Sequence, residues 1–428
     1  MNNLIQPRIL KGFRDFLPNS EIQRTTLTEK ITKVYRSFGF VPIDTPVLEY
    51  TEILLRKSNG ETEKQVFRFE DNGGRDVAMR FDLTVPFARF TAEHKDEIYF
   101  PFKRYHVAKV WRGEKPQAGR YREFVQCDVD IVGSDSAASD FEILNVMKCA
   151  FKEIGVENIT IHVNHRGIFN RFLNTLGVLD KSEDILRSVD KLAKVGKDEV
   201  FKELCEYTQD EEKSSKIIEY ISSTGSFLEI LDKIESLAGG KDSDSERMRE
   251  IYMMMQASGI EQFYVLDPSI TRGLDYYTGV VYETFLNDLP SIGSVCSGGR
   301  YDNLAGLYMK EKVPGVGVSI GLDRLIAGLE QLGQTQQKGS YLDVEIYCLD
   351  AKNAIHYQKV ASELRANDIC VEVFPDAKKM AQQYAVTTAK CVPWGILISE
   401  EEINKIANEE NVDKEIIQHY KTVLKKCK

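Results

Sequence analysis

The sequence predicts an α+β protein, and three observations carry that expectation. Residues 102–133 hold two runs of alternating apolar and polar residues flanking Gly113 to Gly119, which reads as a strand, a long loop and a returning strand. From about Arg166 to Gln256, Lys, Glu, Leu and Ile recur at helical spacing. Beyond Gly333 to Ser340, a polar stretch without pattern, strand-like DVEIYCL, VEVF and WGILI alternate with helical segments, a small α/β region. At 428 residues the chain has room for two or three domains, each with its own core.

In chain order, Glu21 to Phe38 reads as an amphipathic helix with Leu27, Ile31, Val34 and Phe38 on one side, Ser20 as its cap and Gly39 as its stop. FVPIDTPVLEY is extended, and Pro42 and Pro46 place it at a sheet edge or a subunit boundary. Val66 to Phe69 and Val77 to Phe81 form a hairpin around Asp71 to Gly74, and DLTVPFARFTAEH enters a helix at Thr84 with Pro86 in its first turn. Gly133 to Ile154 is a helix packed on the sheet. The long helical stretch breaks at Ala238 to Ser245. Strands return at Phe263, through RGLDYYTGVVYETF and SVCSGGRYDNL. GVGVSIGLDRLIAGLE is a strand leading into a helix that buries Leu322, Leu325, Ile326 and Leu329.

Composition excludes some classes. No apolar run approaches the ~20 residues of a membrane span, and the first residues lack a signal-peptide pattern. Eight cysteines lie scattered without a CxxC, so neither a disulfide framework nor a zinc knuckle is expected, and a reducing cytoplasm is the default. The net charge of −10 argues against a general nucleic-acid coat protein, yet residues 103–133 carry seven Lys/Arg against four Asp/Glu, a local basic region.

Four segments hold polar residues where a packed element would not want them. On the returning strand Arg122, Phe124, Gln126, Asp128 and Asp130 share one face, joined by Arg112 if the strands pair about the loop centre. A solvated edge hairpin would account for that row; so would a sheet floor under a polar ligand. Asp82 and Thr84 stand at a strand-to-helix junction, as helix caps or as partners of a ligand ammonium group. In Arg272 to Gly279 an arginine beside a glycine is followed by two tyrosines, with Ser297 to Asp302 expected nearby. Arg324 lies on the first turn of a helix, where a cation opposes the helix dipole; Asp323 offsets it, or a bound phosphate does. Arg112, Arg272 and Arg324 suit a polyphosphate, and Asp82, Glu114 and Asp130 suit a metal ion and an amine. No GxxxxGK[ST] and no GxGxxG after a strand is present, so a phosphate site would rest on the sheet rather than on a P-loop. His162 and His165 form an HxxH without a third ligand, and no metal site made by the protein alone is expected.

These segments resemble histidyl-tRNA synthetase, a family of class II aminoacyl-tRNA synthetases, over nearly all of residues 8–335. The helix to Phe38 with the strand carrying Pro46 resembles class motif 1, WRGEKPQAGRYREF motif 2 and GVGVSIGLDR motif 3. RGLDYYTG and SGGRYDNL are similar to the two histidine signatures, and RYREFVQCDVDIVG to the histidine-pocket strand. The resemblance implies an antiparallel catalytic sheet in two parts, 1–165 and 257–332, a helical insertion at 166–256, a linker at 333–340 and an anticodon-binding-like domain at 341–428. It implies a histidine–tRNA ligase using ATP with Mg²⁺, with histidine and tRNA as partners, a homodimer, and neither membrane nor DNA.

Carried over by position, Arg112 and Arg324 would grip the ATP phosphates, Glu114 would meet the adenine side and Phe124 would stack on the adenine. Asp82, Thr84 and Gln126, with Leu83 between the first two, would hold the α-amino group of histidine. Asp130 and Tyr277 would reach its imidazole, and Tyr276 and Tyr301 would line the pocket. Arg272 would contact the carboxylate and α-phosphate, which makes Arg272, Arg112 and Arg324 the catalytic set. Lys115, Gln117 and Arg120 would meet the tRNA acceptor end. Ser297 and Asn303 depart slightly from the second signature. The stretch after Pro375 departs more, reading as helix where the family has a glycine-rich strand pair, and residues 341–428 carry twelve Lys/Arg against fourteen Asp/Glu. A rival family of the same build is the histidine-sensing regulatory subunit of ATP phosphoribosyltransferase, which usually lacks both the C-terminal domain and an intact RGLDYYTG.

Overall fold

The computed structural model describes residues 4–55, 61–117, 119–270, 276–302, 304–335, 338–403 and 418. They form two compact units, Met1–Arg14 with Leu27–Gln334, and Asp15–Thr26 with Thr335–Lys428. The helix Pro18–Ser37 is shared between them. It starts ahead of the expected Ser20 cap, which lies inside the first turn. Pro18 suits that first position because a helix has no use for an N–H there. Gly39 ends the helix at φ +81°, a conformation that a residue with a Cβ rarely adopts.

The first unit is built on β1 (Val41–Pro42), β2 (Leu48–Tyr50), β3 (Arg68–Glu70), β4 (Asp76–Met79), β5 (Phe102–Trp111), β6 (Glu123–Val132), β7 (Ile159–His165), β8 (Tyr264–Leu266), β9 (Val280–Leu286), β10 (Cys296–Tyr301) and β11 (Gly315–Gly321). Eight of these make one sheet in the order β1-β5-β6-β11-β10-β9-β7-β8. Its interior pairs are antiparallel, and β1 and β8 join the two edges in parallel. The proline-bearing strand is thus an edge, where a residue without an N–H loses no ladder bond. β2, β4 and β3 form a separate small sheet that contains the expected hairpin.

One face of the large sheet is apolar. Cys127, Val129 and Ile131 of β6 and Val316, Val318 and Ile320 of β11 pack into a core with Ile143, Met147 and Phe151 of the helix Ala137–Glu153. That helix starts at Ser136, whose side chain accepts the Ser139 N–H. Between β7 and β8 the chain makes an excursion of helices: Arg166–Thr175, Ser182–Val189, Leu192–Val195, Lys197–Thr208, Glu211–Ile221, Phe227–Leu237 and Ser243–Ala257. The break before the last of them follows from Gly239 and Gly240 at positive φ and from Asp242, which forms a capping box with Ser245.

The second unit carries β12 (Val344–Ile346), β13 (Val371–Val373) and β14 (Trp394–Ile396) as a parallel sheet in the order β13-β12-β14, with the helices Ala354–Arg365 and Met380–Ala389. The helix expected after residue 403 lies outside the described residues, apart from Gln418.

Candidate functional site

The other face of the large sheet is the polar one, and strand register assembles it. Asp130, Asp128 and Gln126 of β6 stand opposite Gly317, Ser319 and Gly321 of β11. Ser297 and Gly299 of β10 continue the rows. On the far side, Arg104 and His106 of β5 face Asp130 and Asp128. Residues directly opposite share a face, so β6 lies between a cationic strand and one made largely of glycine. The glycine has a steric reason. A Cβ on Gly317 would stand 1.9 Å from Asp130 Oδ1 and 3.0 Å from the Val129 carbonyl, so the carboxyl group lies across space that only glycine leaves open. Gly317→Ala should therefore displace Asp130 and lower stability by about 1–3 kcal/mol. Denaturant unfolding measures this, and an unchanged midpoint would show that Asp130 has another resting place.

At one end of the floor lies an open cleft of ≈ 640 Å³, lined by Arg112, Glu114, Arg120, Phe124, Gln126 and Arg324 together with Ser294, Ser297, Ser319 and Asp323. Arg112 Nε donates to the Phe81 carbonyl at 2.9 Å, which holds its guanidinium 5.2 Å from the centroid of the Phe124 ring. Arg324 Nη1 donates to the Ser294 carbonyl at 2.7 Å. Burial, reinforced by Arg120 and Arg112, pushes Arg324 down to about 10, so it is still a cation at neutral pH. Three guanidinium groups share a half-buried cleft in which Glu114, 3.9 Å from Arg120, is the lining carboxylate that approaches one of them. An anionic ligand would offset their repulsion.

Asp323, the neighbour of Arg324 in sequence, has partners beyond its own helix. It accepts from Arg14 Nη2 at 2.9 Å and from the Val125 N–H at 2.7 Å, so it ties the helix Leu322–Gln331 to β6 and the N-terminal strap. Lys115 and Gln117 are exposed, outside the cleft lining. Gln117 and Arg120 exchange backbone hydrogen bonds, which keeps the loop tight there.

Beyond Gln126 the floor becomes anionic. Asp82, 1% exposed, takes the capping role the sequence offered, with Oδ1 accepting the Val85 N–H at 3.0 Å at the start of the helix Thr84–Glu93, while Oδ2 accepts from the Tyr276 hydroxyl at 3.2 Å. Leu83 is fully buried at the helix entry and Thr84 is the helix's first residue, nearly buried. The Tyr301 hydroxyl donates to Asp130 Oδ1 at 2.6 Å. Arg104, entirely buried over the Phe87 ring, brings Nη2 to 2.7 Å from Asp130 Oδ2 and 3.9 Å from Asp128 Oδ2, at angles outside hydrogen-bond geometry. The Tyr276 ring meets those of Tyr277 and Tyr301 edge-on, with centroids 5.0 and 6.0 Å away. Burial, and then Asp130, Asp128 and Asp82, push the Tyr277 hydroxyl well up, which keeps it a donor. Gln126 Nε2 donates to Ser319 Oγ at 2.8 Å.

The structure thus brings Arg112, Glu114, Arg120, Phe124, Gln126 and Arg324 to one cleft, and gathers Asp82, Asp130, Tyr276, Tyr277 and Tyr301 in a buried cluster further along the same sheet face. Arg272 lies outside the described residues. Thr278, at the far end of its motif, donates through its N–H to the Arg300 carbonyl and through its hydroxyl to Asp302, so the two signatures are neighbours as expected. His162 and His165 are three apart on β7, an odd spacing that turns them to opposite faces. His162 pairs with Asp267 at 2.7 Å, and His165 is buried, accepting the Gly167 N–H. Reasoning from sequence missed Arg104 and Ser319. For Arg104 the signal was the alternation of β5, whose partner across the hairpin is Asp130; Ser319 is placed by the pairing of β11 with β6.

Comparison with known proteins gives the following. A family model described as histidyl-tRNA synthetase matches residues 12–325. The histidine–tRNA ligase of Treponema denticola is 62% identical over 407 residues, spanning 94% of this chain and 91% of that protein. The crystal structure of histidyl-tRNA synthetase from Nostoc sp. PCC 7120 superposes with a TM-score of 0.85 at 30% identity, covering 94% of each chain. A structure titled as an ATP phosphoribosyltransferase regulatory subunit/histidyl-tRNA synthetase from Bacillus halodurans C gives a TM-score of 0.77 at 21% identity, over 92% of this chain and 99% of that one, a likeness of fold alone.

Proposed function

This chain belongs to the histidyl-tRNA synthetase family, and from that premise we propose that it is a histidine–tRNA ligase, activating histidine with ATP and passing it to the 3′ end of its tRNA. The observation that carries the reading is the adjacency of a cationic cleft and a buried anionic cluster on one sheet face, with Gln126 at their border. A polyphosphate suits the first, and an amino acid bearing an ammonium group and a ring N–H suits the second.

In the first step the histidine carboxylate attacks the α-phosphate of ATP and pyrophosphate leaves. Negative charge grows on the phosphoryl oxygens. Arg112 and Arg324, already held by the Phe81 and Ser294 carbonyls, meet it without reorganisation. Arg272 takes the carboxylate and α-phosphate in this reading. Phe124 stacks on the adenine, with Glu114 on its edge. Asp82, Thr84 and Gln126 hold the α-ammonium group, Leu83 shapes that end of the pocket, and Asp130 with Tyr277 reaches the imidazole between Tyr276 and Tyr301. In the second step a terminal ribose hydroxyl of tRNA attacks the activated carbonyl and AMP leaves. Lys115, Gln117 and Arg120 stand on the loop that would meet the acceptor end. Mg²⁺ would arrive on the ATP phosphates, whose oxygens suit that hard cation.

A homodimer fits the exposed apolar side chains of β1 and β2, Val41, Leu48 and Tyr50. A cytoplasmic location accompanies this reading. Among the described residues no helix is long and apolar enough to cross a membrane.

Histidine-dependent ATP–pyrophosphate exchange followed by tRNA charging tests the proposal. Histidine binding with neither activity would favour the regulatory-subunit alternative, whose fold is shared. The domain division 1–165, 166–256, 257–332, linker 333–340 and 341–428 is part of the proposal, and it has its own test. A chain ending near Gly339 should keep exchange, since every residue assigned to ATP or histidine lies at or before Arg324. It should charge tRNA less well, having lost a second contact surface. Loss of exchange on truncation would move the boundary, and residues 15–26, which belong to the second unit, are where it would move.

A further inference from the structure

The first residue of the helical excursion reaches back to the segment that carries the paired tyrosines. Arg166 follows β7, and both its main chain and its side chain grip that segment. Its N–H donates to the Gly279 carbonyl at 2.9 Å, and its Nη1 to the Tyr277 carbonyl at 2.8 Å. Two residues earlier Asn164, 1% exposed, donates through Nδ2 to the Pro268 carbonyl at 3.3 Å and the Ile270 carbonyl at 2.9 Å. The end of β7 therefore holds the chain on both sides of residues 271–275. On the opposite flank the Thr278 N–H donates to the Arg300 carbonyl at 2.7 Å, and the Thr278 hydroxyl to Asp302 at 2.7 Å. Arg300 is itself fixed. Asp140, fully buried, accepts from its Nε at 2.8 Å and from Nε of Arg247, on the helix Ser243–Ala257, at 2.6 Å. The first and last helices of the excursion thus both brace residues 277–279.

Arg166 stands where a cation is disfavoured. It opens the helix Arg166–Thr175, whose first turn holds no acidic residue, so its charge opposes the helix dipole. Packing alone gives no reason for a guanidinium there; a carbonyl to be held does, because an ionised donor makes a bond roughly twice as strong as a neutral one. The carbonyl carbon of Tyr277 is one bond from the Cα that bears its ring. That ring lies close over Gly299, where a Cβ would stand 2.9 Å from it, and edge-on to Tyr276, whose hydroxyl donates to Asp82. Resting on the histidine reading, we propose that Arg166 is a positioning residue for histidine recognition. By holding the Tyr277 carbonyl it sets where the hydroxyls of Tyr276 and Tyr277 stand, while touching neither substrate itself. Small misplacements of recognition groups are costly, since the geometry of binding is narrow. The ATP cleft is spared, because Arg112 and Arg324 are held by the Phe81 and Ser294 carbonyls, on other segments.

Pyrophosphate exchange by the full chain, with each substrate varied in turn, tests the role. Arg166→Met keeps the aliphatic stem and loses the donor. It should raise the histidine KM by about tenfold and leave the ATP KM within about twofold of the parent. Its melting midpoint should stay near the parent's, because the lost hydrogen bond is offset by the relief of a charge at the helix start. Arg166→Lys, which can still donate to the carbonyl, should recover most of the histidine KM. A residue that only supports the fold would change the amount of active protein, and hence the apparent kcat, without separating the two KM values. An unchanged histidine KM in Arg166→Met overturns the proposal, and so does an equal rise in both KM values. A lysine variant no better than the methionine one overturns the carbonyl contact as the cause. A methionine variant that does not fold makes Arg166 a structural residue and also sinks the proposal. A parent that does not activate histidine defeats the underlying function instead, and it does so before any variant is compared.

Discussion

Alanine at Arg324 is expected to slow histidine-dependent pyrophosphate exchange by about 10²–10³, the usual loss for one preorganised donor at a developing negative charge. The expectation rests on how the guanidinium is held. Its Nη1 donates to the Ser294 carbonyl, it sits in the first turn of the helix Leu322–Gln331, and it stays ionised although burial and two neighbouring arginines act against it. A cation kept at a disadvantage in the free protein, and relieved when an anion arrives, is poised for binding. The same argument predicts that Arg324→Ala does not destabilise the fold. Removing a half-buried charge that faces Arg120 and Arg112 relieves repulsion, so the thermal midpoint should hold or rise while activity falls. Single-turnover exchange and a melting curve on the same preparation test both halves. An unaltered exchange rate would take Arg324 out of the mechanism, and a large drop in midpoint would make it structural.

Asp130→Ala is expected to damage stability and histidine use together. Arg104 is fully buried, and its 2.7 Å contact with Asp130 is the close ionic partner it has; Asp128 is next at 3.9 Å. Stripping one member from a buried pair leaves the other charge uncompensated, at a cost of about 3–5 kcal/mol. The variant also removes the acceptor of the Tyr301 hydroxyl and, in the proposed function, an imidazole contact. The histidine KM should rise strongly while the ATP KM barely moves. A double variant, Arg104→Met with Asp130→Ala, separates the two effects: it should regain part of the stability, because both members of the close pair are gone and only Asp128 has lost a more distant cation, but not histidine affinity. Recovery of both would place Asp130 outside the pocket, and recovery of neither would show that the ion pair is not what destabilises Asp130→Ala.

The polar face of the sheet was legible because strand alternation is rigid: once 102–133 is a hairpin, Gln126, Asp128 and Asp130 have no choice of side. Helix and strand positions were legible wherever the apolar period was long, as in Leu322 to Leu329. Two kinds of information were hidden. The first is which strand lies beside which. Nothing local sets β11 against β6, so Ser319 and the space above Gly317 entered the site only through sheet order. The second is the choice among partners for a side chain with several. Asp323 had an obvious neighbour in Arg324, but it binds Arg14, far off in sequence, and a backbone N–H on β6. The start of the first helix was misplaced for a simpler reason: both Pro18 and Ser20 suit a helix beginning, and the chain uses the earlier one.

The sheet order also bears on how the protein is made. β6 leaves the ribosome with one neighbour, β5, already available, but the partner for its other edge is β11, about 180 residues further along the chain. At ~5–20 residues per second, that edge waits about 10–40 s during each round of synthesis. It carries Cys127, Val129 and Ile131 on one side and unpaired backbone groups along its length, the combination that recruits foreign strands. β7, at the opposite end of the finished sheet, waits in turn while the whole helical excursion is translated before β8 and β9 arrive. The helix Ala137–Glu153, translated between β6 and β7, can cover the apolar side of β6 in the interval, but among the described residues no segment made before β11 occupies its open edge. Slower translation of residues 133–314, or depletion of the chaperones that shield nascent strand edges, should therefore send more of this chain into aggregates, with no change in the stability of the molecules that finish.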